Sequence, residues 1–398
     1  MSLKFGRTQL AIPGPSVIPE RVLGAMHRPS PNIYAGELVE MTESIVPDLK
    51  AVARTKHQAT IYISNGHGVW EAALRNTLIP GDKVLVLGTG RFAEGWASMA
   101  KSIGVEVELV NFGMEACADP DVLEETLRKD SKGDIRAVMM VQTDTASSVI
   151  NDVAACRQAI DRANHNALFM VDCIASLACD RFEMDEWGVD VTVSACQKGL
   201  MTPAGLGFIY FNDKAAGAKK RTSPGEYWDW DLRAEPEIFY QRFDGTAPTH
   251  HLYGLRAALD ILVHEEGIEN VWTRHKTIAH SVWSAIDAWG TSGSISHNIQ
   301  DRAIRSHAVS TVNMSDGNAA KLRSWTEENA GLTLGIGLGF PEADFGNHFR
   351  IGHMGHQNLP MVMGVLGTID AALKALDIPH GDGALDAASK VLAAHPAA

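Results

Sequence analysis

The chain has 398 residues, 45% of them hydrophobic and 21% charged, a globular composition long enough for about two domains of roughly 100–200 residues each. Lysine and arginine number 35 against 48 aspartates and glutamates, a formal net charge of −13, which argues against nucleic acid as the main partner because such a surface repels phosphate backbones. No uninterrupted apolar run reaches the roughly 18–20 residues of a membrane span. The stretch from Met1 to Ile12 carries Lys4 and Arg7 but no apolar signal core, and the final His395-Pro396-Ala397-Ala398 is no peroxisomal address. Five cysteines (Cys117, Cys156, Cys173, Cys179, Cys196) form an odd set with no CxxC pair, read as reduced thiols of a cytoplasmic protein. There is no HExxH, and His250-His251 adjoin at a predicted helix start, where a solvated or capping role fits better than metal ligation.

In chain order, short β-branched runs alternate with helical stretches from about residue 57. Thr60 to Ile63 is a strand, Val69 to Leu78 a helix closed by Pro80-Gly81, Lys83 to Leu87 a strand, Ala93 to Ile103 a helix and Val105 to Val110 a strand. Val122 to Lys129 follows as a helix, Ala137 to Val141 as a strand, Ala154 to Ala163 as a helix and Ala167 to Val171 as a strand. Short apolar strands separated by helices mark a parallel sheet covered on both faces, so the fold class is α/β with a doubly wound core. After Lys198 the order changes. Leu206 to Phe211 is a strand, a polar, Trp-rich excursion runs from Arg221 to Asp244, and two long helical patterns cover Pro248 to Val263 and Ile268 to Trp289. The remainder mixes strands (His307 to Val312, Leu332 to Ile336, His348 to Ile351) with a helix from Pro360 to Leu376. The expected division is an N-terminal segment (1–20), a large domain (21–268) and a smaller C-terminal α+β domain (269–398).

Ligands of open parallel sheets bind beyond the carboxyl ends of the strands, so the residues after each strand come next. Ser64-Asn65-Gly66-His67-Gly68 leaves backbone N–H groups at a helix start, which suits a phosphate, although glycines there also serve a plain turn. Gly88-Thr89-Gly90-Arg91-Phe92-Ala93 fits the dinucleotide fingerprint G-x-G-x-x-A. That fingerprint needs an acidic residue about 20 positions on, and the next strand ends in Val110-Asn111-Phe112 without one. A nicotinamide oxidoreductase is therefore the weaker alternative. Gln142 to Ser148 is a hydroxyl-rich turn, and Asp172 closes an apolar strand, where a carboxylate calls for a fixed cation or a helix to cap. Val191 to Gly199 sets Lys198 among small, uncharged residues. Desolvation there disfavours the ammonium form, as an amine nucleophile requires, while a solvated strand-end lysine is the plainer reading. Together, a phosphate-binding helix start, a strand-end aspartate and a desolvated lysine are the parts that hold pyridoxal phosphate.

Asp172-Cys173-Ile174-Ala175-Ser176 and Ser194-Ala195-Cys196-Gln197-Lys198-Gly199 resemble the class V aminotransferases of fold type I, and most of all the alanine/serine–glyoxylate group. The likeness extends over nearly the whole chain through Ile12-Pro13-Gly14-Pro15, Asn65-Gly66-His67, Glu71-Ala72-Ala73, Gly81-Asp82-Lys83-Val84, Trp187-Gly188-Val189-Asp190 and Arg350-Ile351-Gly352-His353. The resemblance implies a large domain with a mostly parallel seven-stranded sheet, pyridoxal 5'-phosphate as cofactor, and a homodimer whose active site is shared between subunits. It implies that Lys198 carries the cofactor as an imine and shuttles the Cα proton, that Asp172 pairs with the pyridine nitrogen, and that Ile174 and Phe92 pack on the two ring faces. Asn65, Gly66, His67 and Gln197 surround the phosphate, Thr246 reaches it from the neighbouring subunit, Thr145 lies near the phenolic oxygen, and Arg350 holds the substrate α-carboxylate. Two positions depart from the family pattern: Phe243 where some members place a phosphate-binding tyrosine, and Ser148 where glycine is usual.

The implied reaction moves the amino group of a small L-amino acid to glyoxylate in two half-reactions through one site, hence ping-pong kinetics. Donors rank serine, then aspartate, then alanine. Aspartate needs a second cation for its β-carboxylate; Arg91, beside Phe92, is the first candidate, with Arg28 and Arg233 behind it. Glu226 to Asp231 reads as a lid segment or as dimer interface. Ile33 stands where the related ureidoglycine enzymes present a glutamine, and all cysteines lie at or before Cys196, which disfavours a desulfurase.

Overall fold

In the computed structural model, residues 3–394 are described; Met1, Ser2 and the tail His395–Ala398, on which the targeting expectation rested, lie outside the described residues. The main sheet has seven strands in the spatial order Gln58–Ser64, Gly205–Phe211, Val191–Ala195, Leu168–Asp172, Ile135–Val141, Lys83–Gly88 and Glu106–Asn111. Among the described residues of this sheet, Gly205–Phe211 alone runs against its neighbours, and the rest are parallel. The pleat divides each strand between two cores. Leu85, Leu87, Val138 and Val171 face one layer of helices, whereas Val84, Val86, Ala137 and Met170 face the other, as a sheet covered on both sides requires. Glu106–Asn111 departs from the expected apolar run: it alternates half-buried with exposed residues, and Lys83 pairs with Glu108 at 2.5 Å, because it is the sheet edge.

A second sheet follows the order Gln9–Ala11, Leu332–Ile336, His348–Gly352, Val309–Met314 and Ile295–His297. Gln9–Ala11 enters it in parallel with Leu332–Leu334, tying the N-terminal segment to the C-terminal part of the chain. Helices Ile268–Trp289, Asn318–Ala330, Leu359–Ala375 and Ala384–Ala393 cover one face in a separate core that holds Phe349 and Ile351. Because side chains alternate along a strand, Arg350 between them faces the other way, toward the main sheet.

Several elements differ from the sequence reading. Helix Glu37–Ala53 runs through Pro47, whose presence hid it. The expected helix to Val263 is α-helical only over Thr249–Leu259 and widens into a π-helical stretch, Asp260–Glu266, stopped by Gly267 at φ 81°. The Trp-rich excursion is anchored to the main sheet: Trp230 is fully buried with its ring stacked 4.1 Å from Phe211, and Tyr62 Oη donates to the Trp228 carbonyl at 3.0 Å. His250 and His251 start helix Thr249–Leu259 and bond the carbonyls of Arg28 and Ala204. All five cysteines are free thiols, and four are buried. No helix among the described residues is long and apolar enough to cross a membrane.

Candidate active site

A cavity of about 270 Å³ opens at the carboxyl ends of the main-sheet strands, and nine of the sequence-predicted site residues line it: Asn65, Gly66, His67, Phe92, Thr145, Asp172, Ile174, Gln197 and Lys198. Gln58–Ser64 ends where helix Gly66–Thr77 begins, and the first N–H groups of a helix lack intrahelical partners. Asn65 caps that helix by accepting from Gly68 N at 3.2 Å. Gly66 lets the Ile174 side chain lie close over the helix start, since a Cβ there would sit 2.5 Å from Ile174 Cδ1 and turn it aside. In the cavity lining, the Gln197 amide is buried with its Oε1 unpartnered, and turned over it would offer its N–H groups to an anionic ligand.

Asp172 is 3% exposed at the last position of Leu168–Asp172. Burial pushes its carboxyl up to about 7, opposed by the donors it binds: Ile174 N to Oδ1 at 2.6 Å and Trp70 Nε1 to Oδ2 at 2.8 Å. Lys198 follows Val191–Ala195. Burial, and then the Arg350 charge, lower its amine to about 8. Its Nζ donates to the Pro13 carbonyl, and the chain from Gly14 to Ser16 closes over it, with Ser16 Oγ donating to the Lys198 carbonyl at 2.7 Å. A Cβ on Gly14, at φ +93°, would fall 2.5 Å from the lysine side chain.

Two neighbouring segments carry Asp144 and Arg350, neither of which lines the cavity itself. Asp144 is fully buried, and its carboxylate accepts from Phe92 N (2.8 Å), Ala93 N (3.4 Å) and Ala146 N (2.9 Å). It thereby fixes both the start of helix Arg91–Ser102, which presents Phe92, and the turn of Thr145. Arg350, 6% exposed, donates from Nε to the Ile336 carbonyl (2.6 Å) and from Nη1 to the Thr145 carbonyl (2.8 Å). Of its five N–H groups, three remain for a ligand. Ser148 adopts φ 66°, which explains the usual glycine there. Its side chain is held in compensation, Oγ donating to Ser147 O at 2.5 Å and accepting from Thr311 N at 3.1 Å.

The dinucleotide alternative fails at this point. The N-terminus of helix Arg91–Ser102, where a pyrophosphate would lie, is filled by the Asp144 carboxylate, whose Cγ would be 2.3 Å from a Cβ on Gly90.

Other predicted residues lie elsewhere. Thr246 is exposed and does not line the cavity of its own chain. Phe243 is buried against Phe239. Arg91 is exposed at the head of its helix, with no hydrogen bond or ion pair among the described residues; its charge reaches His67, whose pKa is lowered first by burial and then by Arg91. Arg233 is corrected as a substrate cation: it is fully buried, bonded to the carbonyls of Tyr227 and Arg242, and lies 4.5 Å over Tyr62. Arg28 is engaged by Glu37 at 3.1 Å and stacked 3.7 Å over Tyr253. Sequence reasoning missed Gly14, Pro15, Thr143 and Trp70 in the lining, as well as the capping role of Asp144. Of these, Trp70 carried a readable signal, four residues past Gly66 and so on the same helix face.

The seven-stranded main sheet, the smaller second sheet and the cavity at the main-sheet strand ends give the architecture of a fold type I transferase. The Bacillus subtilis ureidoglycine–glyoxylate aminotransferase superposes with a TM-score of 0.88, covering 99% of this chain and 100% of that chain at 24% identity. The model of the family "Aminotransferase class-V" matches residues 20–338, and the chain belongs to the class V aminotransferases. It is 36% identical to a serine–glyoxylate aminotransferase of Methylorubrum extorquens over 99% of this chain and 98% of that protein. It is 34% identical to an L-aspartate–glyoxylate aminotransferase of Paracoccus denitrificans over 92% and 91%.

Proposed function

We propose that this aminotransferase uses pyridoxal 5'-phosphate to move the amino group of a small L-amino acid, serine first, to glyoxylate, giving glycine and hydroxypyruvate. The observation that carries the reading is the pairing, across one cavity, of a buried carboxyl raised by burial and a buried amine lowered by it, beside a glycine-containing helix start and the unpartnered Oε1 of Gln197. The residues fit the cofactor. Lys198 would hold it through Nζ, Asp172 would face its ring nitrogen, Phe92 and Ile174 would pack on its faces, Thr145 would lie by its phenolic oxygen, and Asn65, Gly66, His67 and Gln197 would surround its phosphate. When bound, the group supplies an electron-poor ring that accepts the electron pair of a breaking Cα–H bond.

The chain's own groups do the rest. Lys198 Nζ, with its amine lowered to about 8, is the free base far more often near neutral pH than an ordinary lysine and, once the substrate amine has displaced it, takes the substrate Cα proton. Asp172 would keep a proton on the ring nitrogen placed against it. The three remaining N–H groups of Arg350 grip the α-carboxylate common to both substrates, and the Thr145 and Ile336 carbonyls hold its guanidinium plane. A second copy of the chain completes the site with Thr246. Its exposure, and the exposed apolar Tyr34, Ile238 and Tyr240 nearby, support a homodimer packed on this face. The cavity is lined from the N-terminal segment (1–20) and the large domain (21–268), with Arg350 of the small domain (269–398) reaching the Thr145 carbonyl beside it, and the free cysteines fit a cytoplasmic enzyme.

Serine, as a small neutral donor, needs only the α-carboxylate grip. Aspartate is the second reading, favoured by the exposed Arg91 with no partner among the described residues. Offering serine, alanine and aspartate separately to the cofactor-loaded protein and following each half-reaction decides among them. Serine is expected to turn over fastest; fastest turnover of aspartate, lost selectively in Arg91→Ala, replaces serine with the dicarboxylic donor.

A further inference from the structure

Trp70 is only 1% exposed on the cavity wall, and its indole is fixed from several directions. Its ring stacks on Trp96 at 6.1 Å and 16°, meets Phe92 edge-on at 6.3 Å, and lies 4.6 Å from the His67 ring. From this locked position Nε1 donates to Asp172 Oδ2 at 2.8 Å. The neighbouring oxygen, Oδ1, takes Ile174 N at 2.6 Å, so two donors on separate elements fix the carboxylate plane, and each oxygen keeps a lone pair for a ligand.

Burial does not by itself dictate this bond. Trp96 and Trp230 leave their indole N–H groups buried without partners, so the fold tolerates orphan indoles, yet Trp70 is directed at the one carboxylate that faces the cavity. Resting on the cofactor reading given above, we propose that Trp70 is a positioning residue that keeps Asp172 ionised and oriented toward the ring nitrogen of the cofactor. The physical need is clear. A carboxyl in this dry site tends toward its neutral form, and a neutral acid cannot stabilise a protonated ring nitrogen; a donor to the charged form opposes that tendency.

The test measures binding to the full-length apo protein of two probes, pyridoxal phosphate and its analogue with carbon in place of the ring nitrogen. The analogue keeps the aldehyde, phosphate and ring stacking but has nothing for Asp172 to hold. Trp70→Phe is expected to weaken binding of pyridoxal phosphate by about tenfold or more, the effect of removing a hydrogen bond to a charged group, and to leave the analogue within about twofold. Placing benzothienylalanine at position 70, which keeps the bicyclic ring and deletes the N–H, should do the same if Trp70→Phe folds poorly. In an Asp172→Asn background the difference between probes should vanish. Equal weakening of both probes would make Trp70 a packing residue, and no weakening of either would remove the role; both overturn the inference. Failure of the unmodified protein to bind pyridoxal phosphate at all would instead overturn the functional reading beneath it.

Discussion

Replacing Arg350 with lysine keeps the positive charge and removes the planar fork. In the structure, Nε and one N–H of Nη1 are committed to the Ile336 and Thr145 carbonyls, leaving one N–H on Nη1 and two on Nη2, enough for two parallel bonds to a carboxylate. A lysine ammonium offers a point contact, so one charge-assisted hydrogen bond of about 1.5–3 kcal/mol is lost. At about 1.4 kcal/mol per factor of ten, that is roughly a 10- to 150-fold fall in kcat/KM. The fall should appear in both half-reactions, because the amino donor and glyoxylate each carry the carboxylate. Single-turnover measurements from each side, with the unfolding midpoint as a control, separate this from general damage. A change below about threefold, or a loss confined to one half-reaction, would refute the assignment of Arg350 to the α-carboxylate.

The Lys198 amine, lowered by burial and by Arg350 to about 8, should gain reactivity as rising pH removes its proton. The rate at which apo protein takes up pyridoxal phosphate should therefore climb with a midpoint near 8, and a midpoint near the ordinary 10.5 contradicts the desolvated site. Asp144→Ala leaves the N–H groups of Phe92, Ala93 and Ala146 without their acceptor. The loss should cost about 1–3 kcal/mol, offset in part because the carboxylate itself is buried against its preference. Urea unfolding measures this, and an unchanged midpoint with unchanged cofactor affinity would show that Asp144 does not organise the site.

The two residues at the centre of the account were legible because each follows an apolar run. Leu168–Asp172 and Val191–Ala195 are buried along their whole length, so a charge just after such a strand stands out, and parallel topology then brings Asp172 and Lys198 to one edge. Glu106–Asn111 was read as a strand, but its two glutamates, Glu106 exposed and Glu108 half-buried against Lys83, mark it as a sheet edge. What stayed hidden depends on contacts between distant segments. Trp70 meets Asp172 across 102 residues of chain, Asp144 meets Phe92 across 52, and the Pro13 carbonyl meets Lys198 across 185; no local spacing encodes these. Gly88-Thr89-Gly90 could be discounted as a nucleotide motif from the missing acidic residue after the next strand, but its own purpose, leaving room for the Asp144 carboxylate at the helix start, depends on a distant contact. Ser148 was recognised as out of pattern without its cause, a left-handed backbone that side-chain bonds sustain.

The central claim is that the Lys198 amine, facing Asp172, is where the cofactor binds. Incubating the protein with pyridoxal phosphate, reducing with borohydride and mapping the peptides by mass tests it directly. The account predicts one phosphopyridoxyl adduct, on Lys198, absent from Lys198→Ala; an adduct on a different lysine, or none, contradicts it.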